Sequence, residues 1–136
     1  MSIYILDACA VIKCYNQAEG GEIVNSLYIS ATNNEITLKI NTINLLEVYY
    51  TLRRKHSIKS AETFLESFKA SSVIIIEHFH SNLFLEIGRI KSSYNLSLAD
   101  SIAMAETVLS KGTLVTSDKK CFQIKNDIKE IPFLWV

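Results

Sequence analysis

The feature that most limits how this chain can fold is its opening run, Ile3-Tyr4-Ile5-Leu6, which ends directly in a carboxylate, Asp7. Four apolar residues rich in β-branched and aromatic side chains suit a strand buried on both faces of a parallel sheet, and such sheets form where helices cover both faces. Asp7 then stands at the carboxyl end of that strand, the edge at which open α/β sheets bind ligands. Asp is also among the best N-cap residues, so from this position alone Asp7 is either a helix cap or a site residue.

The rest of the chain supplies the alternation that a parallel sheet needs. Residues 8–15 read as a short helix, with Gly20-Gly21 as a turn, and Ile23, Val24, Leu27, Tyr28 and Ala31 recur at helical spacing after it. Residues 36–40 alternate as a short strand. A helix opening at Asn44 places Leu45, Val48, Tyr49 and Leu52 inward and ends in Arg53-Arg54-Lys55, a charged end suited to the helix dipole. Ser57 caps the next helix, whose stripe is Ala61, Phe64, Leu65 and Phe68. Residues 73–76 read as a buried strand, and His78-Phe79-His80 as the loop that ends it. Leu83, Ile87, Ile90 and Tyr94 mark another helix, and one more begins at Ser97 and stops at Gly112. Leu114-Val115-Thr116 and Phe133-Leu134-Trp135-Val136 complete five strands. The expected architecture is a single domain, residues 1–136, with helices on both faces of a parallel sheet of about five strands, an α/β/α sandwich with right-handed crossovers.

Composition narrows the function. Fourteen basic residues balance fourteen acidic ones, so net charge gives no long-range pull toward nucleic acid, and any such binding must rest on a local patch or a metal ion. Three cysteines, Cys9, Cys14 and Cys121, without a C-x-x-C pair, argue against a disulfide framework or a zinc site and suit a reducing cytoplasm. No apolar run approaches the roughly 20 residues of a membrane helix, and the N-terminus lacks the pattern of a signal peptide.

Four acids then stand out. Asp7 and Asp118 each follow a strand, while Glu47 and Asp100 each fall in the first turn of a helix. If the two strands are neighbours where the strand order reverses, all four can share one crevice. Carboxylates so close either take up protons or are held ionised by a cation, and hard oxygen ligands select Mg²⁺ or Mn²⁺. Such an ion can orient a water and stabilise charge on a phosphoryl group, so no His or Ser nucleophile is required. The structural alternative is that Asn44-x-x-Glu47 and Ser97-x-x-Asp100 are capping boxes.

The segments Ile5-Leu6-Asp7, Asn44-Leu45-Leu46-Glu47-Val48, Leu96-Ser97-Leu98-Ala99-Asp100-Ser101-Ile102 and Leu114-Val115-Thr116-Ser117-Asp118 together resemble the PIN domains, and within them the VapC-type toxins of toxin-antitoxin pairs. The resemblance covers nearly the whole chain. It implies a PIN-like fold and a Mg²⁺- or Mn²⁺-dependent endoribonuclease whose metal-site acids are Asp7, Glu47, Asp100 and Asp118, with the Thr116 hydroxyl supporting the last of them. It also implies a homodimer and a small cognate antitoxin. Two positions depart from the family pattern: Cys9 stands where Ser or Thr is common two residues after the first Asp, and Asn41 where Ser is common six residues before the Glu. A thiol is a poorer hydrogen-bond partner than a hydroxyl, so weaker support of Asp7 is expected.

Asn44 and Ser97 are expected to support the acids as helix caps, and Lys119, Lys120 and Lys13 to meet RNA phosphates at the pocket's edge. His78 and His80 lack a third ligand for a transition metal, and Cys9 lacks a base that would make it a nucleophile. The competing functions are a non-catalytic α/β module of the receiver kind, which would want paired acids near the start and a Lys after a late strand, and a stand-alone RNA-processing nuclease.

Overall fold

The computed structural model describes residues 1–136. Five strands, β1 (Ile3–Leu6), β2 (Thr37–Asn41), β3 (Ile74–Ile76), β4 (Thr113–Thr116) and β5 (Phe133–Trp135), form one sheet in the order β3-β2-β1-β4-β5. Every pairing is parallel. From β1 the chain steps outward to β2 and β3, then returns to lay β4 on the other side of β1, so the order reverses between β1 and β4. That gap is the switch point of the sheet, where the helices after adjacent strands diverge and leave a crevice.

Six α-helices cover the two faces: α1 (Ala8–Tyr15), α2 (Gly21–Thr32), α3 (Thr42–Lys55), α4 (Ile58–Lys69), α5 (Ser81–Ser93) and α6 (Leu98–Ser110), with one turn of π-helix at Lys120–Ile124. The alternation of β1 shows how the layers are made. Leu6 joins a cluster with Val11, Val24, Leu45, Val48 and Leu52 from the first helices. Ile5 points the other way, into a cluster with Leu83, Ile90, Ile102 and Met104 of α5 and α6. Each such side chain contributes about 1.5–3 kcal/mol when fully buried, so a strand facing two cores is pinned in register. Gly20, at φ 96°, lies in the left-handed region, and a Cβ there would meet the carbonyl carbon of Val136 at 2.5 Å.

Three expectations are corrected. The strand at β3 is an edge strand rather than a buried one, with Ile74 50% exposed. Helix α3 begins at Thr42, two residues before Asn44, because Asn41 at the end of β2 caps it by accepting from the Ile43 N–H at 2.9 Å. Asn44 is therefore an interior helical residue, fully buried, and Glu47 falls in the second turn of α3 instead of the first. By contrast Ser57 and Ser97 cap α4 and α6 as expected, and His80 ends the loop after β3 by capping α5 through Nδ1.

Candidate metal centre

Each candidate acid is delivered by a different element. Asp7 leaves β1 and caps α1, its Oδ1 accepting from the Ala10 N–H at 3.0 Å. It is 2% exposed. Asp118 follows β4 by two residues, and its Oδ1 accepts from the Cys121 N–H at 3.1 Å, which fixes the start of the π-helical turn. Asp100 sits in the first turn of α6, where its N–H donates to the Ser97 hydroxyl. Glu47 comes from α3. All four line one cavity of about 380 Å³ at the switch point, together with Cys9, Tyr50, Thr51, Arg54, Lys55 and Ser97.

The field in the cavity is that of crowded negative charge. Burial pushes the Asp7 carboxyl up to about 6, against hydrogen bonds from Thr116, Cys9 and the Ala10 N–H, and Asp118 adds repulsion. Asp100 rises to about 7, first through burial and then through the charges of Asp7, Asp118 and Glu47. Glu47 is also raised, by burial and by Asp118. Asp7, Glu47 and Asp100, each raised in this crowded pocket, need either protons or a cation.

Thr116 and Cys9 stitch the two strand-end acids together. The Thr116 hydroxyl accepts from the Asp118 N–H at 3.0 Å. The Cys9 thiol lies 3.0 Å and 3.2 Å from the two carboxylate oxygens of Asp7 and 3.4 Å from Thr116 Oγ1, and accepts from the Ser117 N–H at 3.5 Å. Burial and the Asp7 charge push that thiol up to about 12. The raised pKa keeps it a protonated donor to the Asp7 carboxylate.

The donor set suits a hard divalent ion. Carboxylate oxygens of Asp100 and Asp118 and the Sγ of Cys121 lie within 4.8 Å of one another. A hard ion prefers oxygen to sulfur, so the two carboxylates, rather than the Cys121 thiol that burial and Asp118 raise, are the donors that suit it. Cys121 was not singled out from sequence. Its only signal is its place three residues after Asp118, where the π-helical turn folds it back.

Other residues fall differently. Lys13 donates through Nζ to the Val136 carbonyl oxygen at 3.0 Å. The Lys119 ammonium lies over the Trp135 ring, 5.6 Å from its centre, while Lys120 is exposed at the start of the π-helical turn. Asn44 sits behind the acids, with Nδ2 3.5 Å from the Ala99 carbonyl oxygen and Oδ1 unpaired. Arg54 and Lys55, read from sequence as a charged helix end only, face the cavity. The signal for this was present, since Arg54 follows Glu47 by seven residues and so shares its helical face.

A parallel α/β/α sandwich with a carboxylate cluster at its switch point defines a class of α/β proteins with an acidic centre suited to a divalent ion. Within it the chain belongs to the PIN domain family, whose profile matches residues 4–127. The fold is also that of solved toxin-antitoxin structures. VapBC2 from Rickettsia felis, bound to a DNA fragment from its promoter, matches with a TM-score of 0.75 at 19% identity over 98% of each chain. DNA-bound VapBC from Salmonella typhimurium matches with a TM-score of 0.75 at 16% identity, again over 98% of each. VapC20 of Mycobacterium tuberculosis, a toxin that cleaves the sarcin-ricin loop, matches with a TM-score of 0.64 at 14% identity over 83% of this chain and 87% of its own. At these identities the likeness is one of fold. No curated protein matches the chain by sequence.

Proposed function

We propose that this protein is a divalent-metal-dependent endoribonuclease, the toxin of a toxin-antitoxin pair, which hydrolyses RNA phosphodiester bonds in the cavity of Asp7, Glu47, Asp100 and Asp118. The observation that carries the reading is the convergence of these four carboxylates, from four separate elements, in one cavity within a PIN domain. The fold shared with VapBC toxins and with a toxin that cleaves the sarcin-ricin loop supports RNA as substrate and a small cognate antitoxin as partner. Leu46 and Leu98, 52% and 58% exposed, offer apolar surface for a second copy of the chain. No helix is long and apolar enough to cross a membrane, and three free cysteines suit the reducing cytoplasm where RNA is found.

In this mechanism Asp100 and Asp118 would hold a Mg²⁺ or Mn²⁺ ion, and Asp7 and Glu47 would complete its negative surroundings. The ion, when bound, supplies the positive charge that draws a phosphodiester to an acidic pocket and stabilises charge on its oxygens. The protein's own groups set the geometry. The Ala10 N–H and the Cys9 thiol fix the Asp7 carboxylate, the Cys121 N–H fixes Asp118, and the Ser97 cap fixes the turn that bears Asp100. Asp100, raised to about 7 by burial and by its acidic neighbours, is a carboxyl whose ionised form a bound cation would favour. A receiver-like module is disfavoured because Lys119, the Lys after the late strand β4, lies over Trp135. Incubation of the purified chain with single-stranded RNA tests the reading: cleavage is expected with Mg²⁺ or Mn²⁺ and none with EDTA, whereas equal cleavage in EDTA would overturn it.

A further inference from the structure

Helix α3 carries two aromatic-arginine pairs at the same spacing, Tyr49 with Arg53 and Tyr50 with Arg54, and their surroundings differ. In the first, the Arg53 guanidinium lies 5.8 Å from the centre of the Tyr49 ring and donates to its hydroxyl at 3.1 Å, and that hydroxyl in turn bonds Glu62 of α4. This pair is tied into the fold. In the second, the Arg54 guanidinium lies 5.5 Å from the centre of the Tyr50 ring, and neither it nor Lys55 has a carboxylate partner, since the ion pairs of the molecule are made by Arg89 and Lys129.

Glu47, Tyr50, Thr51 and Arg54 follow one another at i, i+3, i+4 and i+7, a single stripe of α3, and all four line the acidic cavity. At a rise of 1.5 Å per residue, Arg54 stands about 10 Å along the helix from Glu47. The wall of an acidic pocket therefore ends in an unpaired guanidinium braced on an exposed ring. Arg is suited to this task, because its planar fork of N–H donors matches a phosphate and its weakly hydrated face stacks on aromatics.

We infer that Tyr50 and Arg54, with Lys55 beside them, form an RNA-binding clamp: Arg54 takes a backbone phosphate adjoining the one at the carboxylates, and the Tyr50 ring supports a neighbouring nucleoside by stacking. This rests on the ribonuclease reading and adds to it the residues that position the strand. In a chain of zero net charge, such a local patch is what brings a polyanion to four acids.

The test is binding of a fluorescein-labelled single-stranded oligoribonucleotide in EDTA, followed by anisotropy across a salt series, for the wild type, Arg54→Ala, Arg54→Lys and Arg53→Ala, with cleavage kinetics in Mn²⁺ alongside. Arg54 is exposed, so its variants are expected to keep the wild-type fold, checked by circular dichroism. Arg54→Ala is expected to bind about tenfold more weakly, to flatten the dependence of log K on log salt by about 0.7, and to raise KM more than it lowers kcat. Arg54→Lys recovers the salt slope but not the full affinity, and Arg53→Ala matches the wild type in both. Wild-type affinity and slope in Arg54→Ala would overturn the clamp while the wild type still cleaves RNA, as would equal losses in Arg53→Ala. A wild type that neither binds nor cleaves RNA would overturn the ribonuclease reading itself, and the clamp with it.

Discussion

The Asn41 side chain donates through Nδ2 to Glu106 Oε2 at 3.0 Å, joining two residues that are both buried and 65 positions apart. Asn41 caps α3, which carries Glu47, and Glu106 lies on α6, which carries Asp100. One side chain thus sets the start of one acid-bearing helix and ties it to the other. Asn41→Ala removes the cap and leaves a buried carboxyl without its donor, so it is expected to destabilise the protein by about 2–3 kcal/mol, measured by urea unfolding. Glu106→Gln can still accept from Nδ2 and should cost less than Asn41→Ala.

The thiol of Cys9 contributes to the charge state of Asp7, after burial and the Thr116 hydroxyl. Its contacts with the carboxylate lower a pKa that burial raises to about 6. Cys9→Ser supplies a stronger donor, so the acid limb of the pH profile of kcat/KM is expected to move to lower pH, and Cys9→Ala to move it higher. With its own pKa pushed up to about 12, Cys9 should react with iodoacetamide far more slowly than a free thiol at pH 7.5.

Without a cation the acids make stability fall as pH rises. Asp7 and Asp100 titrate near 6 and 7 in the folded protein and near 3.8 when unfolded. Between those values the folded state binds more protons than the unfolded one. The stability they contribute is full below pH 3.8 and is lost as pH rises through 6 and 7. For buried Asp7 this amounts to about 3 kcal/mol. Thermal unfolding in EDTA should give a lower Tm at pH 8 than at pH 5.5, and Mn²⁺ should raise Tm at pH 8 and much less at pH 5.5, where protons compete for the same oxygens.

Much of this fold was legible because local and global signals agreed. Ile3–Leu6 reads as a central strand and is one, since the run of apolar residues has two cores to face. Ser97 reads as a cap because an acid, Asp100, follows it by three residues at the head of an apolar helical run. Asn44 reads as the cap of α3 because Asn is a good cap residue, but Asn41 holds that place, and its bond to Glu106 is a contact that local sequence cannot show. Ile74–Ile76 carries the composition of a central strand, but whether a further strand pairs beyond β2 and β3 is a property of topology. Asp7, Asp100 and Asp118 were legible as residues that follow strands or begin a helix, whereas Glu47, read as a first-turn residue, lies one turn further along α3. Their common cavity rests on the reversal of strand order between β1 and β4, and the part of Arg54 on its wall was hidden by a run of charges that reads equally well as a helix end.

The central claim, that the four-acid cavity hydrolyses RNA through a divalent ion, is tested most directly by single-turnover cleavage of single-stranded RNA at pH 8 in Mn²⁺, comparing the wild type with Asp7→Asn and Asp100→Asn. Each substitution keeps the shape and removes one negative charge from the cavity. The account predicts loss of about 10²–10³-fold in rate for each, with folding intact by circular dichroism. Cleavage by both variants at the wild-type rate would contradict it.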